Sequence, residues 1–212
     1  MTSFRKLSPQ ELQQKYTTVA PSYARDQGFG EIFFFTRPLR RQIMQKAQGR
    51  ILDVACGTGE NFRHFPKDSL ITAIDLTPAM LAQAKQEADR LGMKIDFKTM
   101  NAEHLEFPDA SFDTVVSALS TCTFPDPVAA LREMGRVCHP EGRILLFEHG
   151  RSQWGWAGRW MDRHADSHFE TVGCRWNQEP IELVKQAGLQ IIHTRQARLG
   201  GVFSQIEAAP AL

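Results

Sequence analysis

Apolar residues along the chain fall into two patterns, short continuous runs and longer stretches with the spacing of a helix. The short runs predict five buried strands, over 50–54, 70–74, 95–98, 112–118 and 143–147. Helices are predicted over 60–65, 78–91, 127–138 and 180–187. The helix over 78–91 is typical, because proline stands at its start and Gly92 directly follows its end. The stretch HPEG over 139–142 predicts a turn before the last of these strands.

Alternating strands and helices predict an α/β fold, in which a mostly parallel sheet is covered on both faces. Two further strands, over 189–197 and 202–208, predict a C-terminal antiparallel hairpin about Gly200 and Gly201. Ligands of such sheets bind beyond the carboxyl ends of the strands. Glu148 and His149 directly follow the fifth strand, and we therefore expect both at the ligand-binding edge.

The composition narrows the classes of function. With 212 residues the chain predicts a single domain. Its net charge of +1 gives no electrostatic reason to expect nucleic acid as a partner. The four cysteines show neither a CxxC pair nor zinc-ligand spacing, which favours reduced thiols and a cytoplasmic location. The first residues lack the apolar stretch of a signal peptide, and no apolar run long enough to span a membrane is present.

The loop after the first strand, ILDVACGTGENF over 51–62, is the candidate cofactor site. Gly57 and Gly59 stand between a strand and a helix, but Phe62 occupies the place of the third glycine in a nicotinamide-binding loop. Glu60 lies where a pyrophosphate would bind and would repel it. A cationic cofactor without phosphate, S-adenosylmethionine, fits this loop, and Asp75 at the end of the second strand suits its ribose hydroxyls.

Three motifs in this order, ILDVACGTGENF, AIDLTPAMLAQAK and NAEHLEFPDASFDTVVSA, resemble the class I S-adenosylmethionine-dependent methyltransferases of the type-11 domain group. The resemblance covers residues 48–148 and implies a doubly wound, mostly parallel seven-stranded sheet of the Rossmann-like kind. It divides the single domain 1–212 into three parts. An N-terminal lid with helices covers 1–47, the cofactor-binding core 48–148, and an acceptor-side insertion with the C-terminal strands 149–212.

The resemblance also implies contacts along the whole cofactor. By this resemblance, Asp53, Gly57 and Gly59 bind the methionine end. Asp75 binds the ribose, and Asn101 and Ala102 contact the adenine. The full set of expected cofactor contacts is Tyr16, Tyr23, Asp53, Ala55, Cys56, Gly57, Gly59, Asp75, Leu76, Met80, Asn101, Ala102, Glu103 and Ala118.

Two residues in this set depart from the family pattern. Ala55 stands where the family has a glycine, and its methyl group is acceptable if the local φ is negative. Asn101 stands where the family has an aspartate. Its amide oxygen can still accept a hydrogen bond from the adenine amino group. A role in a local turn is as open for Asn101 as contact with the cofactor.

The C-terminal half indicates the acceptor. FEHGRS over 147–152, followed by a tryptophan-rich stretch, resembles the small-thiol methyltransferase branch and makes Glu148 and His149 candidate catalytic residues. His149 would act on the acceptor as a base or hydrogen-bonding partner, or it would only cap the strand by bonding a backbone carbonyl of the insertion. The expected reaction is methyl transfer to a small molecule, with a thiol favoured. A quinone ring, a phospholipid, and a non-catalytic binding module are the alternatives.

No metal is expected from the sequence. His164 and His168 share a helix face at i, i+4, but no third ligand stands at an obvious spacing, and methyl transfer of this class needs none. The three tryptophans of the insertion would line an acceptor pocket or pack the insertion onto the sheet. Two roles are open for the segment with Phe33 to Phe35, contact with a membrane or a helix packed under the lid. The packed helix is favoured. The oligomeric state stays open.

Overall fold

The computed structural model describes residues 7–33 and 35–211, with side chains described for 7–23 and 35–211. A sheet of seven strands forms its centre, in the spatial order β3-β2-β1-β4-β5-β7-β6. The strands are β1 Arg50–Val54, β2 Leu70–Asp75, β3 Ile95–Thr99, β4 Phe112–Ala118, β5 Cys138–His149, β6 Gln190–Ala197 and β7 Phe203–Ala209. The helices are α1 Pro9–Phe33, α2 Arg37–Met44, α3 Pro78–Leu91, α4 Pro127–Val137, α5 Gly155–Val172 and α6 Pro180–Gln186.

Strands β1 to β5 are mutually parallel, while β7 runs antiparallel to both β5 and β6. The predicted α/β class and the C-terminal hairpin are therefore confirmed. Chain order reverses beside β1, since β2 and β3 lie on one side of it and β4 on the other. Such a switch point opens a crevice at the carboxyl ends of the strands.

Two apolar cores cover the two faces of the sheet, because successive side chains of a strand point to opposite sides. Leu52 and Val54 of β1 belong to the core beneath α4 and α6. Ile51 belongs to the opposite core, beneath α2 and α3. Asp53 shares the face of Ile51, although it is a carboxylate with no exposed surface. A buried charge at this position requires a local partner.

Two predicted elements differ from those observed. The predicted HPEG turn lies inside β5, where Phe112 pairs with Cys138 but Thr114 already pairs with Arg143. The extra residues of β5 are taken up at this break in register, so that the strand continues through a proline and a glycine. The predicted helix over 60–65 is reduced to one 3-10 turn, Phe62–His64. The segment between the glycine loop and Pro66 is too short to form an α-helix.

Candidate cofactor and acceptor site

A cavity of about 950 Å³, partly open to solvent, lies at the carboxyl ends of β1, β2 and β4, below α1. Of the expected cofactor contacts, the cavity wall contains Tyr16, Tyr23, Ala55, Cys56, Gly57, Asp75, Leu76, Met80, Asn101, Ala102 and Ala118. Asp53, Gly59 and Glu103 are outside the wall, as are Glu148 and His149. We call this space the cofactor cavity.

The loop after β1 is held in left-handed backbone conformations. Gly57 and Gly59 have φ of +56° and +88°, and Ala55 has φ of +53°. The condition of a negative φ at Ala55 is therefore not met, and its side chain is held where glycine is preferred. Leu119, which follows β4, has φ of +54° and also lines the cavity. Strained residues that cluster in this way are common at functional sites.

Asp75 fixes the glycine loop and faces the cavity. Its carboxylate accepts from the backbone N–H of Gly57 at 3.0 Å and from that of Thr77 at 2.8 Å. Burial raises the pKa of Asp75, and these two N–H donors oppose the rise. A carboxylate has about four lone-pair sites, so the side chain retains acceptor capacity for a pair of ribose hydroxyls.

Asp53 lies beneath the loop, where Asn61 connects it to a buried arginine. The amide of Asn61 donates to Asp53 at 2.9 Å, and Arg40 donates to the Asn61 oxygen at 2.7 Å. Burial raises the pKa of Asp53 to about 7, with Asn61 and Arg40 acting against it. The second oxygen of Asp53 has no hydrogen-bond partner among the described residues.

The sequence did not identify Arg40 as a site residue. It lines the cavity, is only 4% exposed, and lies over the ring of Phe147 at 5.3 Å. Its neighbours Leu39, Ile43 and Met44 form the buried face of α2. A charged residue on the apolar face of a short helix was the one sequence signal at this position, and it indicates a buried charge without showing its partner.

After the end of β3, Asn101 lines the cavity and also forms the turn that the sequence left open. Its side-chain oxygen accepts from the N–H of Glu103 at 3.0 Å. The carboxylate of Glu103 accepts from the N–H of Asp126 at 2.6 Å, which directs it toward the start of α4. Ala102 is buried beside Asn101 and lines the cavity, as expected.

Helix α1 forms the roof of the cavity. Gln13 donates to the carbonyl of Leu76 at 2.8 Å, and the rings of Tyr16 and Tyr23 meet edge to face at 5.9 Å. Burial raises the pKa of Tyr16 well above its ordinary value, so its phenol stays protonated. The role of residues 1–47 as a lid stays a prediction.

Glu148 lies behind the wall and has no exposed surface. It accepts from the N–H of Ser120 at 3.1 Å and from that of Thr121 at 3.3 Å, in the loop between β4 and α4. Burial raises the pKa of Glu148 to about 7, and these hydrogen bonds act in the opposite direction. The carboxylate therefore fixes the backbone of a loop whose Ser120 faces the cavity.

His149 forms contacts away from the cavity. Its Nε2 lies 3.3 Å from Sγ of Cys174, and a ring N–H donates to the backbone carbonyl of Trp176. Burial opposes protonation, but the contacts with Cys174 outweigh it and raise the pKa of His149. The carbonyl bond is the contact expected for a strand cap. Its role in catalysis stays a prediction.

Cys174 also forms a hydrogen-bonded pair with Cys122. This contact lowers the pKa of Cys174 and raises that of Cys122. Sequence spacing gave no indication of the pair, because 51 intervening residues separate its members along the chain.

The aromatic residues of α5 and its N-terminus do not line the cavity. Trp154, Trp156 and Trp160 remain 49%, 69% and 52% exposed. His164 bonds the carbonyl of Trp160 at 2.8 Å, whereas the ring of His168 stacks on Trp176 at 4.1 Å. The two histidines therefore have different partners.

Comparisons with known proteins show the family to which the chain belongs. A methyltransferase-domain family model matches residues 52–146. A phosphatidylethanolamine N-methyltransferase of Cereibacter sphaeroides is 31% identical over 62% of this chain and 68% of its own length. The mitochondrial methyltransferase OMS1 of Saccharomyces cerevisiae is 29% identical over 92% of this chain, which spans 46% of that protein. A demethylmenaquinone methyltransferase of Deinococcus radiodurans is 33% identical over 66% of this chain and 60% of its own length.

Solved structures show the same fold. The [4+2]-cyclase SpnF has a TM-score of 0.76 at 20% identity, and the match covers 99% of this chain and 98% of that one. A geranyl diphosphate methyltransferase in complex with S-adenosylmethionine has a TM-score of 0.67 at 13% identity, over 82% and 85% of the two chains. The chain belongs to the class I S-adenosylmethionine-dependent methyltransferases, and its cofactor is S-adenosylmethionine.

Among the described helices, none is both long and apolar enough to cross a membrane.

Proposed function

We propose that this protein transfers a methyl group from S-adenosylmethionine to a small-molecule thiol. The observation that carries the choice of acceptor is the part of the cavity lining that follows β4, which we call the acceptor wall. Its members are apolar or carry a hydroxyl group: Leu119, Ser120, Thr123, Phe124 and Pro125. Above it, α1 contributes the phenols of Tyr16 and Tyr23, and no carboxylate or imidazole of the described residues belongs to this part of the lining.

An acceptor at such a wall must supply its own nucleophile. A thiol has a pKa of about 8.5, so a few per cent is thiolate at pH 7 without a strong base. An amine with a pKa of about 10.4 remains almost fully protonated there. When bound, S-adenosylmethionine supplies a methyl carbon on a cationic sulfur; the acceptor sulfur bonds to that carbon as the sulfonium bond breaks, and the thiol proton leaves to solvent.

The chain's own residues bind and orient the reactants. Asp75 is suited to the ribose hydroxyls, and the guanidinium of Arg40 is suited to the carboxylate of the methionine end. Glu148 holds the N–H groups of Ser120 and Thr121, and so sets the position of the acceptor wall. We therefore assign Glu148 and His149 to positioning of this wall, since neither side chain lines the cavity.

A second acceptor class is favoured by a separate observation. The exposed tryptophans of α5 and its N-terminus have the amphipathic character that suits a membrane interface. Similar proteins are named for methylation of phosphatidylethanolamine and of demethylmenaquinone. A lipid or a quinone is therefore the alternative acceptor.

Methyl transfer from labelled S-adenosylmethionine distinguishes these acceptors. The panel contains an alkyl thiol, a reduced demethylquinone and vesicles of phosphatidylethanolamine, each tested with the wild type and with Asp75→Ala. We expect label in the thiol with the wild type, and a much lower rate with the variant. Label in the quinone or the lipid, with none in the thiol, would overturn the choice of acceptor while leaving the methyltransferase assignment intact.

A further inference from the structure

Three residues that are distant in sequence bring metal-ligating atoms together behind the acceptor wall. Cys122 comes from the loop after β4, His149 from the end of β5, and Cys174 from the turn after α5. Their ligand atoms all lie within 4.8 Å of one another. Both cysteines are buried and the histidine is half-buried. We call these three residues the Cys2His cluster.

Backbone contacts hold the segments of the cluster in place. The N–H of Arg175 donates to the carbonyl of Cys122 at 2.8 Å, which joins the turn after α5 to the loop after β4. The ring of His149 donates to the carbonyl of Trp176, in the same turn. A histidine that binds a metal through one nitrogen almost always donates its other N–H to a carbonyl or a carboxylate. The contact with Trp176 is of this kind.

We propose that the Cys2His cluster binds one transition-metal ion, with Zn²⁺ the favoured metal. Two cysteine sulfurs and an imidazole are soft and borderline ligands, which suit zinc and not magnesium or calcium. Zn–S and Zn–N bonds of about 2.3 and 2.0–2.1 Å place the sulfur and nitrogen of a tetrahedral site roughly 3.5 Å apart. The observed separation of Sγ of Cys174 and Nε2 of His149 is 3.3 Å.

A fourth ligand is available next to the cluster. His168 of α5 is close enough to Cys174 to lower the pKa of that thiol, although its ring nitrogens are not among the ligand atoms within 4.8 Å of one another. Cys2His2 is a common composition of structural zinc sites. His168 would complete it, and its ring is already oriented by stacking on Trp176.

The ion would join three segments, one of which carries the acceptor wall. Ser120 and Thr123 line the cavity on either side of Cys122. We therefore infer that the metal stabilises this wall from behind. The inference does not depend on the identity of the methyl acceptor.

Metal binding by the full chain tests the proposal directly. Protein reduced and stripped with a chelator is titrated with Co²⁺, and its zinc content after dialysis against Zn²⁺ is measured by mass spectrometry. We expect one equivalent of zinc per chain, and a saturable thiolate-to-cobalt absorption band. Cys122→Ala and Cys174→Ala should each weaken zinc binding by about 100-fold or more, since even residues that only support a ligand contribute about 10–100-fold.

Matched controls separate the site from general effects of the substitutions. Cys138→Ala removes a buried cysteine outside the cluster, and His164→Ala removes an exposed histidine of the same helix as His168. Both should retain wild-type zinc content. The proposal is overturned if wild-type protein shows no saturable cobalt band, or if Cys138→Ala loses as much zinc as Cys174→Ala. The cobalt absorption spectrum of the wild type tests metal binding even if a cluster variant fails to fold.

Discussion

The cofactor half and the acceptor half of this molecule are built in different ways. In the cofactor half, Gly57, Asp75 and Asn101 each lie at or shortly after the end of a strand, so that short contiguous motifs carry the site. In the acceptor half, Glu148 fixes a loop 28 residues away, and Cys122 meets Cys174 across a still longer separation. Local motifs are readable in a sequence, whereas contacts between distant segments appear only after the chain has folded.

The largest effect that we predict concerns the tightest part of the contiguous loop. A Cβ at Gly59 would lie 2.5 Å from the buried ring of Phe62, in a backbone with φ of +88°. Strain and overpacking together should lower the free energy of unfolding of Gly59→Ala by roughly 2–5 kcal/mol. A Cβ at Gly57 would meet only Tyr23, at 3.8 Å. Gly57→Ala is therefore the control, with an expected loss of about 1–2 kcal/mol. Equal losses in urea unfolding would show that the Phe62 contact has no role.

The buried carboxylate beneath the loop predicts a pH dependence. The folded chain keeps Asp53 protonated up to about pH 7, whereas the unfolded chain ionises it near its ordinary value of 3.8. Folding therefore binds a proton between these values, and the stability contributed by this proton is lost as the pH rises through 7. In the absence of cofactor, the free energy of unfolding of Asp53→Asn should fall less steeply over this range than that of the wild type. Identical pH slopes in the wild type and Asp53→Asn would show that Asp53 has its ordinary pKa in the folded chain as well.

A smaller effect is expected at Ala55, the residue that departs from the family pattern. Its left-handed backbone costs alanine about 1–2 kcal/mol, which glycine would avoid, while the greater freedom of glycine in the unfolded chain would offset part of this gain. Ala55→Gly should therefore stabilise the protein by less than about 1 kcal/mol. Ala118 also lines the cavity but lies at the end of a strand, so Ala118→Gly should destabilise it. Thermal unfolding of both variants measures whether each substitution stabilises or destabilises the protein. Destabilisation by Ala55→Gly would contradict a strained backbone at this residue.

Much of the fold was predictable because its strands are continuous apolar runs separated by clear turns. The glycine loop and Asp75 were predictable for the same reason, since their positions follow from the ends of two strands. Arg40 was missed because a single charge on a short helix does not reveal what lies opposite it. The Cys2His cluster was missed because no spacing relates Cys122, His149 and Cys174. The φ of Ala55 depends on the route of the loop beneath Asp75, which the residue type alone does not determine.

The most direct test of the cofactor half is calorimetric titration with S-adenosylhomocysteine. The account predicts one site in the wild type and in the exposed-surface control His164→Ala. It predicts a loss of about 1.5–3 kcal/mol of binding free energy, or roughly 10–150-fold in Kd, in Asp75→Ala, because a charge-assisted acceptor is removed. Absence of binding by the folded wild type, or unchanged affinity in a folded Asp75→Ala, would contradict the central claim that the carboxyl edge of β1 and β2 is the cofactor site.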